Sequence, residues 1–247
     1  KIAVLILYAI IKTGEIMSFK KFMIRNFSNK PVLVFIHGFS RRTSQPLKKA
    51  IDYFKQRGYY VIVPELFDPN NENDDIPIHW IDNAKKAVDD AFSIKDHVVV
   101  IGFSMGGVIA SDIAATYPVK LLVLLAPAFE YVTLKAVKET ISKKINKRNM
   151  QKINPKKLPE NFVEAFKEVV LQCKGSIFNV HCPTIIFHGL VDETIPSRSS
   201  EFAYHNIPTE QKKLFMLDNV NHNIIEDSLY GDDIIQLIET NIEQLNH

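Results

Sequence analysis

Two cysteines, Cys173 and Cys182, are all that 247 residues contain. They make no disulfide framework and have no metal-ligand spacing, so both are expected to be free thiols. An excess of one charge is missing as well. Thirty Lys/Arg against 28 Asp/Glu leave a net charge of +2, which argues against a dedicated nucleic-acid binder. There is no internal repeat and no low-complexity tract. The apolar run at the amino terminus, Ile2–Ile11, has ten residues, too few for a transmembrane helix, which needs about 20. Its length suits a signal-peptide core, yet the Lys12-Thr13-Gly14-Glu15-Ile16 that follows is a poor cleavage site. Residues 1–16 are therefore expected to be an upstream extension, with a membrane tether as the alternative. The expected compartment is the cytoplasm, with membrane-associated or secreted locations as alternatives.

What remains is 46% hydrophobic and 23% charged, the balance of a globular protein with a sizeable core. Residues 17–247 read as one domain in which strands and helices alternate. "SFKKFMIRNF" reads as a strand after Met17, and "PVLVFIHGF" as a buried strand ending in a His-Gly turn. "TSQPLKKAIDYFKQRGY" places Leu47, Ile51 and Phe54 at helical spacing before Gly58. "YVIVPE" is a second buried strand. "IPIHWIDNAKKAVDDAF" then carries Trp80, Ala84, Ala87 and Val88 on one helical face. "VKLLVLLAP", "CPTIIFHGLVD" and "KKLFMLD" supply further strands, and a helical stretch closes the chain. Near-continuous Val/Ile/Leu runs mark strands covered on both faces. Their alternation with helices predicts an α/β fold with a mostly parallel sheet.

"VVVIGFSMGGVIASDIAATYP", Val98 to Pro118, passes from strand to helix through Gly-Phe-Ser-Met-Gly-Gly. A helix N-cap alone would explain Ser104, but not glycines two residues away on each side. Gly102 and Gly106 stand where a Cβ would collide in a very tight turn, the G-x-S-x-G nucleophile elbow, whose required context is a strand before and a helix after.

A serine nucleophile requires a base, an orienting acid and an oxyanion hole. Eight histidines are available, and in such sheets chemistry sits at the carboxyl ends of strands. That criterion leaves His37, His188 and His222. The first two are each followed by glycine, which suggests tight turns in which the ring fills space or bonds to backbone, whereas His222 lies in the loop "DNVNHN" after the last strand. His222 is the candidate base. Asp192, just past the strand Thr184–Phe187, is the candidate acid, with Asp218 as its rival and an Asx turn as the alternative role. The oxyanion donors would be the backbone N–H groups of Met105, at the start of the helix, and Phe39, in the "HGF" turn.

Strand plus "HGF", then "GFSMGG", then "HGLVDETIP", then a late loop histidine make this chain resemble the α/β-hydrolase superfamily from about Pro31 onward. Within it the chain is most similar to small bacterial carboxylesterases and monoacylglycerol-lipase-like enzymes. One departure is Asn221 before His222, where the family usually carries Gly or Ser; Asn tolerates left-handed backbone. The resemblance implies hydrolysis of carboxylic esters, of short to medium acyl chains or monoacylglycerols, through an acyl-serine on Ser104. It implies no metal or organic cofactor and a small-molecule partner. A thioesterase or acyl-peptide hydrolase with the same triad and a non-catalytic ligand-binding member of the fold are the alternatives.

The segment at about 129–175 interrupts the strand rhythm and is expected to be a small helical cap. Thr133–Lys174 holds eleven Lys/Arg against four acids. Leu134, Val137 and Ile141, then Phe162, Val163, Phe166, Val169 and Val170, recur at helical spacing and are expected to line an acyl site. The outer charge, or the N-terminal segment, is expected to give weak contact with anionic membrane surfaces or acyl carriers.

Overall fold

A computed structural model describes residues 21, 24, 28–40, 43–130 and 160–245. Six strands form one parallel sheet: β1 (Val32–Ile36), β2 (Tyr60–Ile62), β3 (Val98–Phe103), β4 (Leu121–Leu125), β5 (Thr184–Gly189) and β6 (Lys212–Leu217), in the order β2-β1-β3-β4-β5-β6. Six α-helices accompany them among the described residues: α1 (Lys48–Gln56), α2 (Pro77–Ile94), α3 (Met105–Thr116), α4 (Glu160–Cys173), α5 (Arg198–Asn206) and α6 (Gly231–Gln244). Successive strand residues point to opposite faces, and both faces are covered. Val32, Val34, Val98, Val100, Leu122 and Leu124 pack with the apolar sides of α2, α3 and α4. Leu33, Phe35, Val99, Ile101, Val123 and Leu125 pack with those of α1 and α6. This two-sided burial is why the central strands read as unbroken apolar runs.

The edges differ from expectation. β2, read as a buried strand, is only half-buried throughout, because it has a neighbour on one side alone. The segment after Met17, expected to be a strand, is helical at Lys21 and Ile24, and the Ser28 N–H donates to the Ile24 carbonyl at 3.3 Å. Its apolar residues Phe19, Phe22 and Met23 in fact recur closer to the helical period than to two. The rest of that segment, residues 1–16 and residues 131–159 lie outside the described residues, so most of the expected cap and its basic stretch lie there too. The described part of the insert, α4, is built into the domain: Phe162, Val169 and Val170 are buried in the core shared with α2 and α3. Among the described residues no helix is long and apolar enough to cross a membrane.

Because the sheet is parallel, the turns after β1, β3, β5 and β6 all open at one end. Two close backbone approaches there set the turn between β3 and α3. A Cβ on Gly106 would lie 2.2 Å from the Ile36 carbonyl oxygen, and one on Gly102 2.3 Å from the Gly106 carbonyl oxygen. Both obstacles are backbone and cannot rotate away. Gly106→Ala should therefore destabilise the fold by roughly 2 kcal/mol or more in urea denaturation, as overpacking of fixed atoms does. Gly175→Ala, where a Cβ meets nothing within 4 Å, should change stability little.

Candidate active site

Ser104 joins β3 to α3 with φ 55° and ψ −119°, a left-handed conformation that side chains rarely adopt and that costs on the order of 1–3 kcal/mol. Three backbone hydrogen bonds hold it. The Ser104 N–H donates to Leu125 at 2.9 Å, and its carbonyl accepts from Gly107 at 3.0 Å and Ala128 at 3.1 Å. The hydroxyl makes no capping bond to the helix, so the capping role weighed for it is not what this serine does. Ser104 is instead part of the wall of a cavity of about 330 Å³.

His222 lines the same cavity. Its ring packs 4.9 Å from that of Phe103, the residue before the serine. The β6 loop is brought across by backbone pairing with the β5 loop, since the Val191 N–H donates to the Val220 carbonyl at 3.1 Å. The left-handed residue in the β6 loop is Asn219, at φ 59°, and not Asn221. His222 Nδ1 lies 2.7 Å from Asp192 Oδ2, so the rival acid, the exposed Asp218, is not the partner here. The Asx turn foreseen as an alternative for Asp192 is present as well: Oδ1 accepts the N–H groups of Thr194 and Ile195, both at 2.8 Å.

One contact was missed at the sequence level. His188 Nε2 lies 3.3 Å from the same Oδ2 of Asp192. The signal that could have found it is the run His188-Gly189-Leu190-Val191-Asp192, which returns the chain past the end of β5. Burial by itself would raise the Asp192 pKa, but hydrogen bonds from His188, His222 and the Ile195 N–H outweigh it. The carboxyl is held well below the usual carboxylate range.

The turn after β1 is fixed by His37, which is fully buried. Its Nε2 accepts the Leu66 N–H at 3.1 Å, so its Nδ1 carries the proton and donates to the Gly38 carbonyl at 2.8 Å. Burial lowers the His37 pKa, opposed by the Gly38 bond and by Glu65, in keeping with a neutral ring. With the Gly38 carbonyl turned to His37, the N–H of Phe39 across the trans peptide points the other way. Met105 opens α3, where a first-turn N–H has no intrahelical acceptor. Phe39 lines the cavity, and its ring stacks 5.1 Å from Phe166 of α4. Val163 and Lys167 of α4 complete that wall; Gln45, Pro46 and Glu226, not singled out from the sequence, close others.

The cysteines stand apart. Burial pushes the Cys173 thiol up to about 12 and the Cys182 thiol to about 11, so neither is a reactive nucleophile. Among the described residues no three His, Cys, Asp or Glu side chains are gathered to hold a metal ion.

A family model described as "Uncharacterised protein family (UPF0227)" matches residues 32–239. A carboxylesterase of Bacillus subtilis (strain 168) is 20% identical over 230 residues, covering 85% of this chain and 93% of that protein. A thermostable monoacylglycerol lipase of Bacillus sp. (strain H-257) is 20% identical over 210 residues, covering 78% and 84%. Among solved structures, one reported for the metagenome-derived lipolytic enzymes LipS and LipT superposes with a TM-score of 0.72 at 17% identity, covering 87% of this chain and 94% of that one. The fold is that of the α/β-hydrolases.

The depressed Asp192 pKa carries a pH signature. Its contribution to stability is complete above the unfolded value of about 3.9 and is lost as pH falls below it toward the folded value. Urea unfolding between about pH 5 and pH 2 should show wild type losing stability more steeply than Asp192→Asn; parallel curves would contradict the carboxylate's role in the fold.

Proposed function

We propose that this chain, which belongs to the uncharacterised protein family UPF0227, is a serine hydrolase that cleaves carboxylic esters through an acyl-serine on Ser104. The observation that carries the reading is the meeting, around one cavity, of a serine on a left-handed turn and a histidine tied to a buried carboxylate. The carboxylesterase and monoacylglycerol lipase that match most of the chain support ester hydrolysis as the class of reaction.

In this mechanism His222 Nε2 takes the proton from Ser104 Oγ as the oxygen attacks the ester carbonyl carbon. Asp192 holds the imidazole with Nδ1–H toward Oδ2 and stabilises the imidazolium. The carbonyl oxygen becomes an oxyanion, which the N–H groups of Phe39 and Met105 receive; a donor of this kind is worth on the order of 10²–10³ in rate. Collapse breaks the bond to the alcohol, which leaves with the proton from His222. A water then attacks the acyl-serine by the same route, releasing the carboxylic acid and restoring Ser104. Phe39, Phe103, Val163 and Phe166 give the cavity an apolar wall suited to an acyl chain.

Ser104→Ala should lower kcat/KM for a soluble aryl ester by at least about 10³-fold, because the triad acts as a unit, with an unchanged unfolding midpoint; wild-type turnover would sink the assignment. Phe166→Ala tests the acyl wall. Its kcat/KM for an octanoyl ester should drop by about tenfold from lost apolar contact, while that for an acetyl ester stays near wild type. An equal loss for both esters would place the acyl chain elsewhere.

A further inference from the structure

Two imidazoles share the Asp192 carboxylate, and only one of them borders the cavity. Resting on the reading of Ser104, His222 and Asp192 given above, we propose that His188 is a positioning residue that fixes the Asp192 carboxylate against His222 and shares its charge. His188 is fully buried at the end of β5 and is not among the residues that line the cavity, so it acts on the reaction only through Asp192.

Its partners assign its protons. The Ile195 carbonyl, 3.0 Å from Nε2, can only accept, so Nε2 carries the hydrogen. Nδ1, 2.6 Å from Ser200 Oγ, is then the acceptor of the Ser200 hydroxyl. The Nε2–H is directed between the Ile195 carbonyl and Asp192 Oδ2 at 3.3 Å. The result is a chain of donors in which Ser200 O–H points to His188, and both His188 Nε2–H and His222 Nδ1–H point to one carboxylate oxygen. The other oxygen is held by the Thr194 and Ile195 N–H groups. Four N–H groups thus surround the carboxylate and oppose its rotation about the Cβ–Cγ bond.

A structural filler would need only Ser200 and Ile195 to satisfy its two nitrogens. The third contact, on the very oxygen that receives His222, has a chemical consequence. A second donor makes that oxygen a weaker base, so less of the negative charge bears on His222. Removing the donor therefore makes the His222 imidazolium easier to form and moves the acid limb of the kcat/KM profile to higher pH. The remaining charged groups at this site, Lys167 of α4, Glu226 after His222 and the exposed Glu193, are common to every variant compared.

The test is a set of three His188 substitutions assayed on a soluble aryl ester across pH, alongside Ser104→Ala. His188→Gln keeps an amide N–H near the Nε2 position, His188→Asn places its amide at the Nδ1 end, and His188→Leu has no donor. His188→Leu and His188→Asn are expected to lose roughly 10- to 100-fold in kcat, the effect of one hydrogen bond to a charged group, with KM little changed. Their acid limb should move up by about 0.5–1 pH unit. His188→Gln should recover most of kcat and the wild-type limb. If His188→Leu fails to fold in a thermal scan, the Gln and Asn pair decides. Identical pH limbs and kcat for Gln and Asn would overturn the proposal, as would a limb that stays put or moves down in folded His188→Leu. Loss of turnover in Ser104→Ala with an insensitive His188 series would overturn this inference alone. Full turnover in Ser104→Ala would remove the underlying reading and this inference with it.

Discussion

The left-handed backbone at Ser104 is the constraint around which the carboxyl end of the sheet is arranged. A residue with a side chain at φ 55° persists only if its surroundings over-determine it, and here they do so from two strands, a loop and a helix. β4 accepts the serine's N–H through Leu125, the Ala128 N–H beyond β4 and the Gly107 N–H of α3 reach its carbonyl, and β1 lies close enough to forbid any side chain at Gly106. The energy that holds this turn comes from the two-sided core: Val, Ile and Leu on both faces of β1, β3 and β4 fix the strands that in turn fix the serine. The same parallel arrangement places the turns after β5 and β6 beside it, which is how His222, held from behind by the buried Asp192, comes to face one cavity with Ser104.

A second layer of buried polar groups surrounds these residues, and each of its histidines has a tautomer dictated by fixed partners. His37 is bound between the Leu66 N–H and the Gly38 carbonyl, which sets the peptide plane that carries the Phe39 N–H. His188 is bound between Ser200, Ile195 and Asp192. In both cases a buried imidazole converts the rigidity of a strand end into the orientation of a neighbouring polar group. Burial without such partners would be costly; with them it produces a preorganised environment, the condition under which dipoles contribute most to a reaction.

Much of this was legible in the chain, for identifiable reasons. Ser104 stood out because glycines at 102 and 106 have no use in an ordinary capped helix start. His222 and Asp192 could be singled out because a parallel sheet puts loop residues after successive strands at the same end. His37 and His188 read as rings that fill tight turns or bond to backbone, and both do bond to backbone; a sequence shows that a histidine precedes a glycine but not which further atom its ring meets. The short run from His188 to Asp192 permits their contact, but which atoms meet depends on how the chain returns past Gly189. The edge strand β2 looked buried because Tyr60, Val61 and Ile62 are as apolar as a central strand, and only the sheet order tells that one side lacks a neighbour. The position of the basic insert in the chain suggests a cap. Its helix α4 does touch the cavity through Val163, Phe166 and Lys167, while its other face, with Phe162 and Val169, is as deeply buried as the central strands; apolar spacing alone does not distinguish those two destinations.

The central claim is that Ser104 is a nucleophile activated by His222. Incubating the folded protein with a fluorophosphonate probe, followed by intact mass and peptide mapping, tests it most directly, because the probe reacts covalently with an activated serine and needs no knowledge of the natural ester. The account predicts one equivalent of label, on the peptide carrying Ser104, and its disappearance in His222→Ala. A folded protein that takes up no label, or takes it up at another residue, would contradict it.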